Sequence, residues 1–268
     1  MLRWWLPGPN QCRDMSRVAA ARLCFSPQLD MNEIPTVFPQ SKIASALNSD
    51  FEQRVALSTE TLPWSVSPLP GVERRMLDRL GGEVARATSV VRYAPGSHFD
   101  RHIHGGGEEI LVLDGVFSDE RGEYAAGSYL RNPPGSGHAP FSVEGCLLLV
   151  KLWQFGPGDT ETVRIDTQQT PWRQGLVPGL SVMPLHEHNG ISTALVRWAP
   201  NTRFNTHSHS GGEEIFVLSG VFHDEHGHYP RHSWLRSPRW SQHSPFTEGE
   251  GALIYVKVGH LGAPMLTP

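Results

Sequence analysis

The sequence predicts an all-β chain folded as two tandem barrels, on three observations. Short runs rich in β-branched and aromatic residues are punctuated by Gly and Pro at the strand-turn spacing of sandwiches and barrels. The segment His102-Ile103-His104-Gly105-Gly106-Gly107-Glu108-Glu109, followed by His138, recurs as His207, His209, Glu213 and His243, each 105 residues after its counterpart. Roughly half of the positions from Arg92 to Ser142 are identical to those one repeat later, which marks a tandem duplication.

The chain has 268 residues, so each repeat is the size of an ordinary domain. Residues 32–158 are assigned to a first barrel and 159–268 to a second. A net charge of −4 gives no electrostatic reason to expect nucleic acid or an anionic membrane as partner. No apolar run approaches the roughly 20 residues of a spanning helix. The three cysteines, Cys12, Cys24 and Cys146, are widely spaced without a CxxC pair, which fits a reducing cytoplasm better than a disulfide scaffold.

Residues 1–31 combine Arg3, Arg13, Arg17 and Arg22 with Trp4-Trp5 and lack a secretory core. They are expected to be a disordered extension or to lie upstream of a start at Met31, a transit peptide being the lesser alternative. Ser41 to Asn48 is a short helical candidate and Phe51 to Leu57 an edge strand. Trp64 opens the β pattern, which turns at Leu69-Pro70-Gly71-Val72. Val84 to Tyr93 reads as a strand ending at the Ala94-Pro95-Gly96 turn. A ligand strand over 98–104 follows, then strands Glu108 to Leu113 and Val116-Phe117. Asp119-Glu120-Arg121-Gly122 is a hairpin turn and Leu147 to Phe155 an apolar strand. Residues 156–171 read as the connection, after which Trp172, Pro178-Gly179 and Val196 to Pro200 replay the first unit.

On a strand, His102 and His104 point to one face. With Glu108 and His138 arriving from neighbouring segments, they form a donor set for one borderline divalent ion. His207, His209, Glu213 and His243 form a second, so two metals per chain are expected: zinc, or iron, manganese or nickel. The second site has drifted. Gly127, Gly135 and Gly137 are replaced by His232, Trp240 and Gln242, and Trp240 implies a changed loop at a reshaped mouth. The first site is therefore the better catalytic candidate, although no catalytic group can be named.

The remaining polar residues have structural readings. Glu109 and Glu214 point away from the metal by strand alternation and are expected in a salt-bridge or turn role; Arg131 and Arg236 are expected to pair with Glu109 or Glu214, orienting an anionic substrate being the lesser alternative. Tyr93, Trp198, Phe99 and Phe204 are core aromatics. Lys151 and Lys257, in apolar strands, are expected to snorkel to the surface. His186-Glu187-His188 is read as loop or edge, His223, His226 and His228 as solvated, and His98 as no ligand because Arg203 replaces it.

These residues resemble the cupin superfamily. Gly96, His102, His104, Glu108 and Gly115 match its first motif, and Gly127, Pro133, Gly135 and His138 its second, with Ser142 where the family has Asn. More narrowly, Trp64 through Lys151 looks like the ChrR-type cupin family, through "GGEE", "VFSDE", "RNPPGS" and the later "VKL". The resemblance covers about residues 50–262. It implies a jelly roll in each unit, with a metal inside each barrel mouth. ChrR-type proteins that act as anti-sigma factors carry an N-terminal His-x3-Cys-x2-Cys zinc domain; that pattern is missing here, so the sigma-binding role is not carried over.

Two functions follow as expectations. One is a metal-dependent oxygenase acting on a small diketone- or hydroxyketone-like substrate. The other is a non-catalytic zinc-binding regulatory or sensor module. A small-molecule ligand is the expected partner in both, with a homodimer plausible through sheet edges.

Overall fold

The computed structural model describes residues 46–262. The expectations for residues 1–31, and for the part of the helical candidate before Ala46, lie outside the described residues. Ala46 and Leu47, its next two residues, form a strand paired with Arg79 and Leu80. Nearly everything else is antiparallel β. The Thr59–Thr61 turn is the one helical element among the described residues, and none of them forms a helix able to cross a membrane.

Each repeat builds a twisted main sheet with the same neighbour order. In the first, Val72–Gly81, Ala85–Tyr93, Cys146–Leu152, Glu108–Asp119 and Ser128–Asn132 follow one another across the sheet. In the second, the order is Leu180–His188, Ile191–Trp198, Ala252–Val258, Glu213–Asp224 and Ser233–Ser237. A smaller layer closes each barrel, in the first through the pairings of Ser97–His98, Phe141–Ser142 and Gly122–Ala125.

Glu108–Asp119 is one strand, where the sequence suggested two. Its register against Cys146–Leu152 shifts between Leu147 and Leu148, at a bulge where Asp114 and Gly115 interrupt the apolar alternation. Gly115 takes φ 72° there, and a Cβ would sit 2.2 Å from the Gly145 carbonyl oxygen. Glu213–Asp224 repeats the bulge.

The two units exchange their leading strands. Val55–Ser58, which precedes the first barrel, pairs with Ser233–Ser237 and forms the edge of the second main sheet. Val163–Asp166, inside the stretch read as a plain connection, pairs with Ser128–Asn132 and forms the edge of the first. Each barrel is therefore finished by a strand from the other repeat.

Strand alternation sorts the core into three layers. Ile110, Val112, Leu130 and Leu148 fill the first barrel, and Ile215, Val217, Leu235 and Ile254 the second. The residues between them in sequence, including Leu111, Tyr129, Leu149, Phe216, Trp234 and Tyr255, form a third cluster shared by both main sheets. The barrels thus stand back to back on one apolar layer.

Charges are buried within that layer. Lys151 and Lys257 do not snorkel to the surface: they are 1% and 0% exposed. The Lys257 ammonium donates to Glu109 at 2.5 Å, and Lys151 pairs with Glu214, so each lysine crosses to the other barrel's carboxylate. Glu109 also accepts from Arg131 at 3.2 Å and from the Tyr255 hydroxyl. Glu214 accepts from Trp234 Nε1 at 2.7 Å and pairs with His260. Arg236 departs from expectation, pairing with Asp78 of the first barrel at 3.2 Å instead of Glu214. His186 also differs: it lies buried in the strand Leu180–His188, with Nε2 3.4 Å from Asp159 Oδ1.

Burial alone would raise the Glu109 carboxyl, but Lys257, Arg131 and Lys151 hold it well below the usual range. Glu214 is likewise burdened by burial and held low by Lys151 and His260. Acids with depressed folded values stabilise the fold fully above the unfolded value, near pH ~4.5, and lose that contribution as the pH falls below it. The urea midpoint should therefore drop more steeply between about pH 5 and pH 3 in the parent than in Glu109→Gln. At neutral pH, Lys257→Met leaves Glu109 short of a cation and should cost about 3 kcal/mol in urea unfolding. The Glu109→Gln/Lys257→Met double variant should lose less than the sum of the single changes.

Candidate metal centres

The first centre is assembled by a two-stranded pairing and a glycine turn. His102–Ile103 runs antiparallel to Gly137–His138, placing His138 directly opposite His102. Ile103, between the two histidines, is turned outward and exposed, as strand alternation requires. After His104 the chain must double back to start the strand at Glu108. Gly107 does this at φ 79°, and Gly106 lies against the Trp153 ring, where a Cβ would come within 2.1 Å. This explains the glycines before the paired glutamates.

His102, His104 and His138 bring their donor nitrogens within 4.8 Å of one another. Glu108 closes the group, with Oε2 3.3 Å from His104 Nε2 and 3.4 Å from His138 Nε2. The far sides of two rings are anchored. His102 Nδ1 lies 3.0 Å from the Asp100 carbonyl oxygen, and His138 Nδ1 lies 3.2 Å from Asp119 Oδ2. Protons on those Nδ1 atoms leave the Nε2 lone pairs facing inward. Asn132 donates its amide to Glu108 Oε2 at 2.9 Å.

The second centre repeats the plan. His207 stands opposite His243 in a pairing of His207–His209 with Ser241–His243, and His207 Nδ1 lies 2.9 Å from the Asn205 carbonyl oxygen. His243 Nε2 is 3.1 Å from His207 Nε2 and 3.2 Å from His209 Nε2. Glu213 lies 3.4 Å from His209 and 3.5 Å from His243. All eight residues singled out in the sequence are thus brought together in two sets of four.

Trp240 does not remake the second mouth's loop. It adopts φ 62°, in the left-handed region that Gly135 occupies at φ 82°. Its amide donates to the His209 carbonyl at 2.8 Å, as Gly135 does to His104 at 2.9 Å. The turn is kept with a strained residue, and the indole is 67% exposed. His232 keeps positive φ in place of Gly127 in the same way.

Aromatic rings line both interiors. Phe99 and Phe117 face His102 and His138 at centroid distances of 5.8 and 5.9 Å, and Phe204 faces His207 at 4.8 Å. Trp198 takes the place of Tyr93. The second interior retains a cavity of about 10 Å³ beside His207, Glu213 and His243, room for about one water.

Electrostatics favour metal-ready ligands. Burial lowers His104, and likewise His243, and brings His207 and His209 to about 4, so these imidazoles are neutral at pH 7. The carboxylates differ. Burial would raise Glu108, but His104, His138 and the Asn132 amide outweigh it and the carboxyl is lowered; at Glu213 burial prevails and the carboxyl is raised. The Nε2 atoms of His104 and His138 are buried without a hydrogen-bond partner. Unpartnered buried nitrogens cost stability unless something fills the gap. Two nitrogens about 2.1 Å from one ion stand about 3.0–3.4 Å apart for angles from a right angle to tetrahedral, a range that includes the second centre's imidazole spacings of 3.1 and 3.2 Å. Each triad could hold a metal ion.

Sequence reasoning missed Asn132 and Asp119 as supports. Asp119 had a signal, since it recurs as Asp224 at the repeat offset; Asn132 had none, since Ser237 replaces it. Asp119→Ala removes the anchor of His138 and should weaken zinc binding at the first centre by about 10- to 100-fold in chelator competition, leaving the second unchanged.

Comparisons with known proteins bear on the fold and the family. Among curated proteins none matches the chain. Solved structures share the fold at low identity. A candidate dioxygenase from Nostoc punctiforme is 19% identical, with TM-score 0.65, over 81% of this chain and 87% of that one. The protein Ylba from E. coli is 16% identical, with TM-score 0.61, over 78% and 91%. A deletion mutant of Bacillus subtilis oxalate decarboxylase is 14% identical, with TM-score 0.54, over 79% and 78%; Mn(II) centres are described for that enzyme. The model of the ChrR cupin-like domain matches twice, over residues 52–156 and 160–262, one match for each repeat. With two barrels, two histidine triads and both repeats matched, the chain belongs to the ChrR cupin-like family as a tandem bicupin.

Proposed function

We propose that the protein is a two-metal bicupin whose first centre is catalytic, acting as a metal-dependent dioxygenase on a small diketone- or hydroxyketone-like molecule. The observation that carries the metal reading is the pair of buried Nε2 atoms on His104 and His138, each within 3.4 Å of Glu108 Oε2 yet without a hydrogen-bond partner. His102, His104, Glu108 and His138 would hold one divalent ion, and His207, His209, Glu213 and His243 the other. Three neutral imidazoles and one carboxylate leave a divalent ion near +1, able to polarise a bound oxygen donor or, for a redox metal, to handle O₂.

The protein's own contribution is orientation and exclusion of water. Asp100, Asp119 and Asn132 fix the ligand side chains, and Phe99, Phe117 and Tyr93 surround the first centre with apolar surface. The second interior has room for about one water, which makes it the poorer host for an organic molecule. The likeness to a candidate dioxygenase and to oxalate decarboxylase supports oxygen or carboxylate chemistry as the class to test, with iron or manganese as the metals to look for first. A second reading rests on the family match itself: a zinc-holding regulatory module, in which both centres are closed four-coordinate sites.

Plasma mass spectrometry of the untagged chain should find close to two metals per chain, with His102→Ala and His207→Ala each losing one. Iron or manganese together with O₂ uptake on a small diketone supports the enzyme. Tightly held zinc with no uptake favours the regulatory module. Less than half a metal per chain, unchanged by either substitution, would sink both.

A further inference from the structure

The two centres share four ligands but differ in what holds the carboxylate. Glu108 Oε2 accepts from Asn132 Nδ2 at 2.9 Å. Asn132 is buried, and its own oxygen accepts from Arg164 Nη2 at 2.5 Å. That second bond sets the amide's direction: Oδ1 faces the guanidinium, so the NH₂ faces Glu108. Arg164 is itself tied down, donating through Nη1 to the Arg131 carbonyl at 2.8 Å and lying against the Tyr124 ring.

Arg164 reaches this place because of the strand exchange. It lies in Val163–Asp166, opposite Leu130, two residues from Asn132. The matched position in the second barrel, opposite Leu235, is Ala56, and the matched residue for Asn132 is Ser237. Alanine offers no donor and serine no amide. Among the described residues, the direct contacts of the Glu213 carboxylate are with the imidazoles of His209 and His243; Arg54 and Asp224 act on it only electrostatically, and no amide donates to it.

We propose that Arg164 and Asn132 form a positioning relay that locks Glu108 into place as a ligand, so that the first centre holds its ion more tightly than the second. The proposal rests on the reading of both centres as metal sites. A carboxylate fixed by a directed amide loses less freedom when it ligates, and it keeps one oxygen orientation for the ion. Glu213 lacks that restraint and can rotate or leave the ion, which marks the second centre as the exchangeable one. Neither relay residue touches the ion; both act through Glu108.

The test uses full-length protein in single-centre form, His207→Ala reporting the first site and His102→Ala the second. Zinc affinity is read by competition with a chromophoric chelator, and ligand geometry by the visible absorption of the cobalt(II) forms. The first centre should bind zinc about 10- to 100-fold more tightly than the second. Asn132→Ser with Arg164→Ala should erase most of that difference and shift the cobalt bands. Ser237→Asn with Ala56→Arg, which removes nothing from the native barrel, should tighten the second centre by about 10-fold. A structural role alone would alter unfolding but leave the cobalt spectrum and the grafted site unchanged. Equal affinities in the parent sites, or an Asn132→Ser first centre within about twofold of its parent, would overturn the relay with the metal reading intact. If neither single-centre protein binds zinc or cobalt, the metal reading itself fails.

Discussion

Two adjacent carboxylates set the plan of this molecule. Strand geometry sends Glu108 and Glu109 to opposite faces of one sheet, and the repeat does the same with Glu213 and Glu214. One of each pair enters its own barrel and completes a donor set; the other enters the layer between barrels and meets a lysine from the opposite repeat. A shift of one residue in either strand would put a charge without a partner into both places at once. Register in the main sheets is thus fixed from two sides, by the histidines within and by the crossed ion pairs without.

Much of this was legible in the chain. The repeat offset, the His-x-His spacing and the paired glutamates pointed to two barrels with two donor sets. Strand parity alone indicated that Glu109 and Glu214 face away from the histidines. Parity could not say what they face. Lys151 and Lys257 were read as surface-seeking because a lysine in an apolar strand usually escapes to water, and nothing local reveals that a second sheet covers that face. The strand exchange was hidden for the same reason, since Val163–Asp166 carries a weak pattern whose meaning comes from its partner in another repeat. Trp240 shows the opposite failure: its residue type argued for a new loop, yet the hydrogen bond to His209 holds the old one.

Duplication within a single chain lets the copies diverge without breaking symmetry elsewhere. The buried crossed pairs are retained on both sides, Lys257 with Glu109 and Lys151 with Glu214. The surroundings of the centres are not: Tyr93 gives way to Trp198, Gly135 to Trp240, and Asn132 to Ser237. What holds the halves together has stayed alike, and what shapes each interior has drifted.

The exchanged strands also order events in time on the ribosome. The first barrel can close once residue 166 has emerged, soon after its other strands. The second borrows Val55–Ser58, which leaves the ribosome about 175 residues before Ser233 supplies its partner edge. At 5–20 residues per second that is a wait of roughly 10–35 s. For the last part of it, once residue 166 is out, the strand must stay unpaired while a finished neighbour stands beside it. Fusion of the two repeats secured the assembly but left one early strand waiting on a late partner, and the nascent protein is exposed to mispairing in that interval.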